Sequence, residues 1–179
     1  QELIAAGPDF NSYRKVDNDR NYRPTFTNSS NVSVTGALTK SGDNATMSVR
    51  GTAQGCTYTI AYTFYPDATV DMKVTFAPSY ATLARLGLGM QFAAGLEDVE
   101  YYGRGPWSNY TDRKTGSFLG RYQTTVDDMV DEMIHPQTFG DHQDMRSLTL
   151  RDKAKNIALD IKTEGDVIFS LGHYDETRW

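Results

Sequence analysis

Residues 100–113 combine side chains that could bind a sugar or fix a sharp bend in the chain. They are Glu-Tyr-Tyr-Gly-Arg-Gly-Pro-Trp-Ser-Asn-Tyr-Thr-Asp-Arg and follow an apolar stretch. The ring of Trp107 offers a flat apolar face, and the guanidinium of Arg104 offers forked donors that suit paired hydroxyl groups. The same two side chains could instead rigidify a corner between two sheets. Both interpretations stay open for Arg104 and Trp107.

The residues around this pair predict a constrained backbone. Gly103 and Gly105 allow a positive φ or a close approach of another strand, and Pro106 fixes the following turn. We expect Arg113 and the more distant Arg146 to bond nearby aspartates or backbone carbonyls, which would tie crossing strands together.

Other residues that could support catalysis or metal binding are weaker candidates. His135 and His142 are seven residues apart with aspartates nearby, and His173 lies further along the chain. Histidines in turn-rich connections more often serve as hydrogen-bonded scaffold, so we predict no metal site and no cofactor. The single cysteine, Cys56, cannot form an internal disulfide and is expected to be a small buried side chain.

Acidic residues do not suggest a hydrolytic pair. Glycosidic cleavage needs two carboxylates on opposite sides of the bond. The most acidic stretch, residues 127–132, has no aromatic or glycine residues around its acids, and a solvated face is the better interpretation. We therefore assign no catalytic residue.

Four stretches resemble the C-terminal small-chain β-sandwich domain (domain 5) of glycoside hydrolase family 2 β-galactosidases. Residues 101–113 are similar to its Tyr-Tyr-Gly-Arg-Gly-Pro signature with the following Asn-Tyr and Asp-Arg. Residues 13–19 resemble its opening Arg…Asp-Asn-Asp motif, one residue shorter, and residues 85–87 resemble its Arg-x-Gly segment. Residues 135–146 resemble its Pro-Gln-x-x-Gly element followed by Asp-Val-Arg. The resemblance spans about residues 13–174.

The resemblance implies a large antiparallel two-sheet sandwich of the galactose mutarotase type. Ser108 stands where these enzymes commonly have an acid, so no carboxylate role transfers to it. The family's domain continues beyond the counterpart of residues 173–176 and there supplies an aromatic side chain to the sugar site, so we expect a chain truncated at its C-terminus. The structural positions of the motifs are Gly103, Gly105, Pro106, Asn109, Tyr110, Asp112, Arg113, Pro136, Gly140 and Arg146.

The function implied is that of a non-catalytic domain in an enzyme that hydrolyses terminal β-D-galactosides. The hydrolytic glutamates of that family lie on a separate TIM barrel, so we expect this chain alone to be inactive. Its expected partners are that barrel, the other domains of the parent, a galactoside and a second copy paired through a strand edge or sheet face. The alternatives are a stand-alone aldose epimerase, a carbohydrate-binding module and a purely structural interface domain.

The alternation of polar and apolar residues predicts many short strands. A tight hairpin is expected at residues 66–68, between apolar rows that end at Phe64 and begin at Val70. We expect an irregular segment over residues 1–30 that packs on one sandwich domain, residues 31–179. Residues 114–122 are expected to form a glycine-rich hinge, and residues 126–133 a short acidic helix or a strand edge. The predicted strands are residues 32–38, 46–53, 57–65, 69–76, 86–92, 99–102, 147–151, 157–162 and 167–171.

Composition excludes several classes of function. The chain has 179 residues, 39% of them hydrophobic and 23% charged, as in globular domains. A net charge of −5 without a basic cluster argues against nucleic acid as a partner. No apolar run approaches the roughly 20 residues of a membrane span, so we expect a soluble protein of the cytoplasm or the periplasm.

Overall fold

The computed structural model describes residues 2–14, 30–35, 37–53, 56–79, 85–132 and 137–174. This part of the chain forms eleven strands and one 3-10 helix, Asp127–Met129. The strands are β1 (Ile4–Asn11), β2 (Ser30–Val34), β3 (Thr39–Ser41), β4 (Asn44–Ala53), β5 (Cys56–Phe64), β6 (Val70–Pro78), β7 (Gly87–Phe92), β8 (Asp98–Gly105), β9 (Phe118–Thr125), β10 (His142–Asp152) and β11 (Ile157–Phe169).

The strands form three antiparallel sheets. One pairs β1 with β7, one has the order β11-β10-β8-β9, and one has the order β2-β4-β5-β6 with β3 beside β4. The all-β prediction is confirmed, and the sheets are consistent with a β-sandwich. Among the described helices, none has the length and apolar character to cross a membrane. Residues group into two compact units, one containing β8–β11 and the other β2–β6 with most of β1 and β7.

The unit built on β2–β6 has an aromatic core. Phe10 from β1 lies 6.0 Å from the ring of Tyr58 and 6.1 Å from that of Phe76. Cys56 and Ile60 are buried beside them, as expected for Cys56, and burial raises the pKa of its thiol. These side chains alternate along their strands, and that alternation directs one face of the sheet into the core.

The predicted hairpin between β5 and β6 is confirmed. The N–H of Tyr65 donates to the carbonyl of Thr69 (2.9 Å), and the N–H of Ala68 donates to the carbonyl of Tyr65 (3.2 Å). Ala68 has φ +67°, the left-handed residue of a three-residue hairpin loop. Beyond the loop the two strands pair without a bulge from Phe64 opposite Val70 to Cys56 opposite Pro78.

The unit built on β8–β11 buries alternate residues of its central strand. Val99, Tyr101, Gly103 and Gly105 on β8 face inward, and Tyr101 packs in a cluster with Leu148 and Leu150 of β10. The motif thus continues β8 to Gly105, whereas the sequence predicted a strand that ends at residue 102. At Gly105 a side chain would overlap the hydroxyl of Tyr101 and the ring of Tyr122, so the last residue of the strand has room only for glycine.

Four other predictions of local structure need correction. Strand β1 lies within the segment predicted as irregular, and β9 replaces most of the hinge predicted over residues 114–122. Residues 32–38 divide between the end of β2 and the approach to β3. A single strand, β11, runs through the turn predicted at residues 164–166, because a register shift opposite Met145 and Ser147 of β10 absorbs the extra residues. Of the two alternatives for residues 126–133, the helical one is correct at residues 127–129.

Candidate functional site

Arg104 anchors the connection between β8 and β9, residues 106–117. Its Nη1 donates to the carbonyl of Ser117 at 2.8 Å and to that of Lys114 at 3.4 Å. Its Nε forms an ion pair and hydrogen bond with Oδ2 of Asp144 on β10. The guanidinium therefore joins the end of β8 to both the base of the connection and the neighbouring strand.

The backbone conformation and the surroundings of Asp144 suit its bond with Arg104. It has φ +57° at the start of β10, a conformation that aspartate tolerates better than most residues. The Nζ of Lys114 lies 3.6 Å from its second oxygen, Oδ1. The hydrogen bond from Arg104, with the nearby charge of Lys114, holds the pKa of Asp144 below its usual range. The carboxylate is thus kept ionised.

Asn109 fixes the middle of the connection and is fully buried. Its Nδ2 donates to the carbonyls of Arg104 (3.1 Å) and Trp107 (3.0 Å), and its Oδ1 accepts from the N–H of Gln143 (3.0 Å). Its own N–H donates to the carbonyl of Asp141 at 2.7 Å. One amide side chain therefore bonds three backbone groups, one in β8, one in the connection and one in β10.

Gly105 leaves space for the tyrosine rings below the motif. A Cβ at Gly105 would lie 2.2 Å from the hydroxyl oxygen of Tyr101 and 2.9 Å from the ring of Tyr122. A Cβ at Gly103 would meet the backbone of Gln143 and Met145 at 3.4 Å. Neither glycine has positive φ. The predicted positive φ is therefore wrong at both glycines. A close approach is present at Gly105, where it comes from tyrosine side chains and not from the backbone of another strand, while the strand backbone beside Gly103 lies at ordinary contact distance.

His142 lies beneath the same connection as part of the scaffold. It is buried, with Nδ1 2.9 Å from the carbonyl oxygen of Gly140 and Nε2 3.3 Å from that of Pro106. The hydroxyl of Tyr101 donates to the same Pro106 carbonyl at 3.3 Å, and its ring meets the imidazole edge-on. Burial raises the pKa of Tyr101, so its proton stays in place to donate.

Trp107 is left in solvent at the tip of this framework. Its side chain is 76% exposed, while that of Arg104 is 28% exposed and held by the bonds above. Phe118, at the first position of β9, is 73% exposed. The two predicted sugar contacts therefore lie in different environments. Arg104, at the end of β8, is held in a polar network, and Trp107, in the connection that follows, is exposed to solvent.

The remaining motif residues are placed around this network. Gly140 has φ +69°, and a Cβ there would lie 2.7 Å from the carbonyl oxygen of Met129. The guanidinium of Arg113 lies 5.2 Å above the ring of Tyr110, and Arg146 approaches Asp166 at 3.9 Å on the surface. The side chain of Asp112 is exposed.

Some predicted positions fall elsewhere. Pro136, His135 and the motif at residues 15–19 lie outside the described residues. His173 is exposed, with Nε2 2.9 Å from Oε2 of Glu97 and 3.7 Å from Oδ1 of Asp127. Within the described ranges, no three histidine, cysteine or acidic side chains come together as a metal site would require.

Sequence reasoning missed how this connection is held. It proposed nearby aspartates and backbone carbonyls as arginine partners in general terms, but it did not identify the carbonyls of Lys114 and Ser117 or the N–H of Gln143 as partners. The available signal was an asparagine shortly after two glycines and a proline, since such an amide in a turn often bonds to backbone groups.

Comparison with known proteins agrees with the motifs. The family described as "Beta galactosidase small chain" matches residues 1–179. A β-galactosidase of Staphylococcus xylosus is 32% identical over 104 residues, 58% of this chain and 10% of the relative. One of Vibrio cholerae is 31% identical over 118 residues, 65% of this chain and 11% of the relative. One of Priestia megaterium is 34% identical over 93 residues, 51% of this chain and 9% of the relative. The matched part of the chain thus spans about a tenth of the length of these relatives.

Proposed function

This chain belongs to the β-galactosidase small-chain family, and on that premise we propose that it is a non-catalytic domain of an enzyme that hydrolyses terminal β-D-galactosides. In this role it supports the catalytic barrel and the other domains of the parent. It also contributes one wall of the carbohydrate-binding site, through the connection between β8 and β9.

The observation that carries the proposal is an exposed indole on a rigid connection. Trp107 is 76% exposed, and the carbonyl of the same residue is fixed by the buried amide of Asn109. A stacking platform for a pyranose must be held in place before the sugar arrives, because ordering a loose loop would consume binding energy. The network of Arg104, Asp144 and Asn109 supplies that rigidity.

The electrostatics of this connection support binding over hydrolysis. A general acid in a glycosidase needs a carboxyl group whose pKa is raised, so that it carries a proton near neutral pH. The pKa of Asp144 is instead lowered by its hydrogen bond with Arg104. This carboxylate is suited to hold an arginine and is a poor proton donor.

Tryptophan fluorescence tests the sugar contact directly. In a Trp179→Phe background, Trp107 is the remaining tryptophan and reports on its own environment. We expect galactose to change its emission saturably in the millimolar range, and we expect Trp107→Ala to abolish galactose binding measured by calorimetry. Phe118→Ala is the matched control, since it removes an aromatic side chain of similar exposure (73%) at the first position of β9, directly after the same connection.

Two results would count against this role. Galactose binding that survives Trp107→Ala would remove the assigned platform. Hydrolysis of an aryl β-galactoside by the purified chain, lost on replacement of one of its own acids, would show that the chain is catalytic.

An aldose epimerase of the mutarotase type is the second candidate, because such an enzyme needs a histidine acid and a glutamate base. His173 and Glu97 lie 2.9 Å apart, but they are bonded to each other instead of facing a common space. Polarimetry of α-galactose tests this candidate. Accelerated equilibration that disappears in His173→Gln would favour the epimerase over the supporting domain.

A further inference from the structure

Strand β6 is the outermost strand of its sheet. Among the described residues it pairs with β5 alone, and none of its nine residues is fully buried. An edge strand presents a row of backbone N–H and C=O groups that can pair with another strand. The chemistry of this edge therefore determines what it can bind.

The hairpin bonds determine which residues direct their backbone groups outward. Tyr65 donates to the carbonyl of Thr69, so these two form a hydrogen-bonded pair. Hydrogen-bonded and non-hydrogen-bonded pairs alternate along an antiparallel ladder. The odd-numbered residues of β6 thus direct their backbone groups to β5, and the even-numbered ones direct theirs to the open edge.

The side chains along this edge form a pattern centred on Met72, with valines two residues away and opposite charges one residue away on either side. Val70 and Met72 lie on the apolar face of the sheet and are 48% and 38% exposed, with Val74 next in the same row. Asp71 and Lys73 lie on the opposite face, one residue before and one after Met72, and both are exposed. A negative and a positive charge therefore flank the centre of the edge.

We propose that β6 pairs with β6 of a second copy of this chain, antiparallel, with the two-fold axis at Met72. In this register Asp71 of each copy lies opposite Lys73 of the other, and Val70 lies opposite Val74. The charged residues occupy non-hydrogen-bonded pairs, where facing side chains approach most closely. The even-numbered residues Val70, Met72 and Val74 form about six backbone hydrogen bonds across the interface.

Other symmetric registers use the edge less well. An axis at Val74 overlaps more residues, but it leaves Lys73 opposite a threonine and Val70 opposite Pro78, which has no N–H to donate. An axis on either charged residue would place like charges face to face and would direct backbone groups that already face β5 toward the partner. With the axis at Met72, each charged residue faces an opposite charge, and every N–H that points outward from residues 70–74 has a carbonyl partner.

The size of the contact predicts a weak dimer. Five residues from each copy bury less than the roughly 1,200 Å² of standard interfaces, so the dimer should form reversibly above micromolar concentrations. It depends on side chains of β6, and it is therefore independent of the sugar contact proposed for Trp107.

Charge reversal tests the register. Sedimentation equilibrium over a range of micromolar concentrations should show a monomer–dimer equilibrium. Asp71→Lys and Lys73→Asp should each weaken dimerisation about tenfold, because each replaces two opposite-charge pairs by two like-charge pairs. The double variant should recover affinity to within about threefold. Glu164→Lys, an equal change of charge at an exposed position of β11, should have no effect.

Met72→Pro tests the backbone pairing. The N–H that this change removes points to the open edge, so the variant should retain its fold and lose the dimer. Circular dichroism checks folding for every variant, since Asp71 also accepts a hydrogen bond from the hydroxyl of Tyr65 (2.7 Å).

Three results would overturn the proposal. The first is a chain that stays monomeric at high micromolar concentration. The second is a dimer that is insensitive to the single reversals or to Met72→Pro. The third is stronger association in Lys73→Asp, which would show that Lys73 acts as a guard against edge pairing, as lysines on edge strands often do.

Discussion

The β5–β6 hairpin and the β8–β9 connection both join antiparallel strands, yet they are held in different ways. The hairpin uses neighbours in sequence, such as the Asp67 carboxylate, which accepts from the N–H of Thr69 at 3.0 Å. The β8–β9 connection is held from β10, through Asn109 to Gln143 and Arg104 to Asp144, across 34 and 40 residues of sequence. Local bonds suffice for the short reversal, whereas the longer connection is fixed by side-chain bonds that reach a neighbouring strand.

If close packing beneath β8 is what shapes the longer connection, Gly105 should be its most sensitive position. Gly105→Val should lower the free energy of unfolding by about 3 kcal/mol, because its Cβ would overlap the hydroxyl of Tyr101 and the ring of Tyr122. Urea denaturation measures the change.

Two further variants locate the cause of that loss. Gly116→Ala, in the same connection with open space around the glycine, should leave the midpoint unchanged or slightly raised. Removal of the nearest oxygen in Tyr101→Phe should recover part of the loss caused by Gly105→Ala. Equal effects at Gly105 and Gly116 would mean that packing below the strand is unimportant.

The second comparison sets a buried bridge against an exposed one. Asn109→Ala should cost about 2–3 kcal/mol, since it leaves the carbonyls of Arg104 and Trp107 and the N–H of Gln143 without their partner. Asp67→Ala removes one exposed bond in the hairpin and should change the free energy of unfolding much less, because water replaces the lost partner. Thermal or urea unfolding of both variants provides the measurement. A cost at Asp67 as large as that at Asn109 would contradict the distinction between local and long-range stabilisation.

The same distinction explains what could be predicted from the sequence. Alternating apolar residues on both sides of Pro66-Asp67-Ala68 predicted the hairpin, because all of its determinants are close together in the sequence. The continuation of β8 through Gly103 and Gly105 could not be predicted in this way. It depends on the rings of Tyr101 and of Tyr122 from the neighbouring strand β9, and residue spacing does not show that β9 pairs beside the motif.

The candidate site shows the same limit. The residue types were sufficient to single out Arg104 and Trp107. For each of them, they left open whether it contacts a sugar or has a structural role. Their separation into a bonded guanidinium and an exposed indole depends on Asp144, 40 residues away, and on two backbone carbonyls. Backbone acceptors have no sequence signature, so this part of the site required the structure.

The third prediction concerns pH, because protonation of Asp144 should weaken its bond with Arg104 and so the longer connection. Its pKa is lowered in the folded state, so its contribution to stability is present above the unfolded pKa of about 4 and is lost as the pH falls through the folded pKa. Asparagine tolerates the same φ as aspartate. Asp144→Asn should therefore lower the free energy of unfolding by about 1 kcal/mol at neutral pH, and by progressively less below a pH of about 4.

The difference in unfolding free energy between the two proteins isolates Asp144. Asp152, whose pKa is lowered by its bond with Lys155, titrates in the same range in both of them. A difference that stays constant from neutral pH to about pH 2 would show that the charge of Asp144 contributes nothing.

The smallest expected effect lies in the hairpin itself, at Ala68. With φ +67°, this alanine adopts a left-handed conformation that costs an L-residue roughly 1 kcal/mol and costs glycine almost nothing. Ala68→Gly should therefore raise the free energy of unfolding by about 0.5 kcal/mol, after the added entropy of glycine in the unfolded chain is subtracted. Ala77→Gly, in the extended and exposed part of β6, should instead lower it by a similar amount. Urea midpoints of the two variants, measured with the parent, should fall on opposite sides of it. If Ala68→Gly is destabilising, the loop does not hold the left-handed residue that closes this hairpin, and its register must be set by the strands alone.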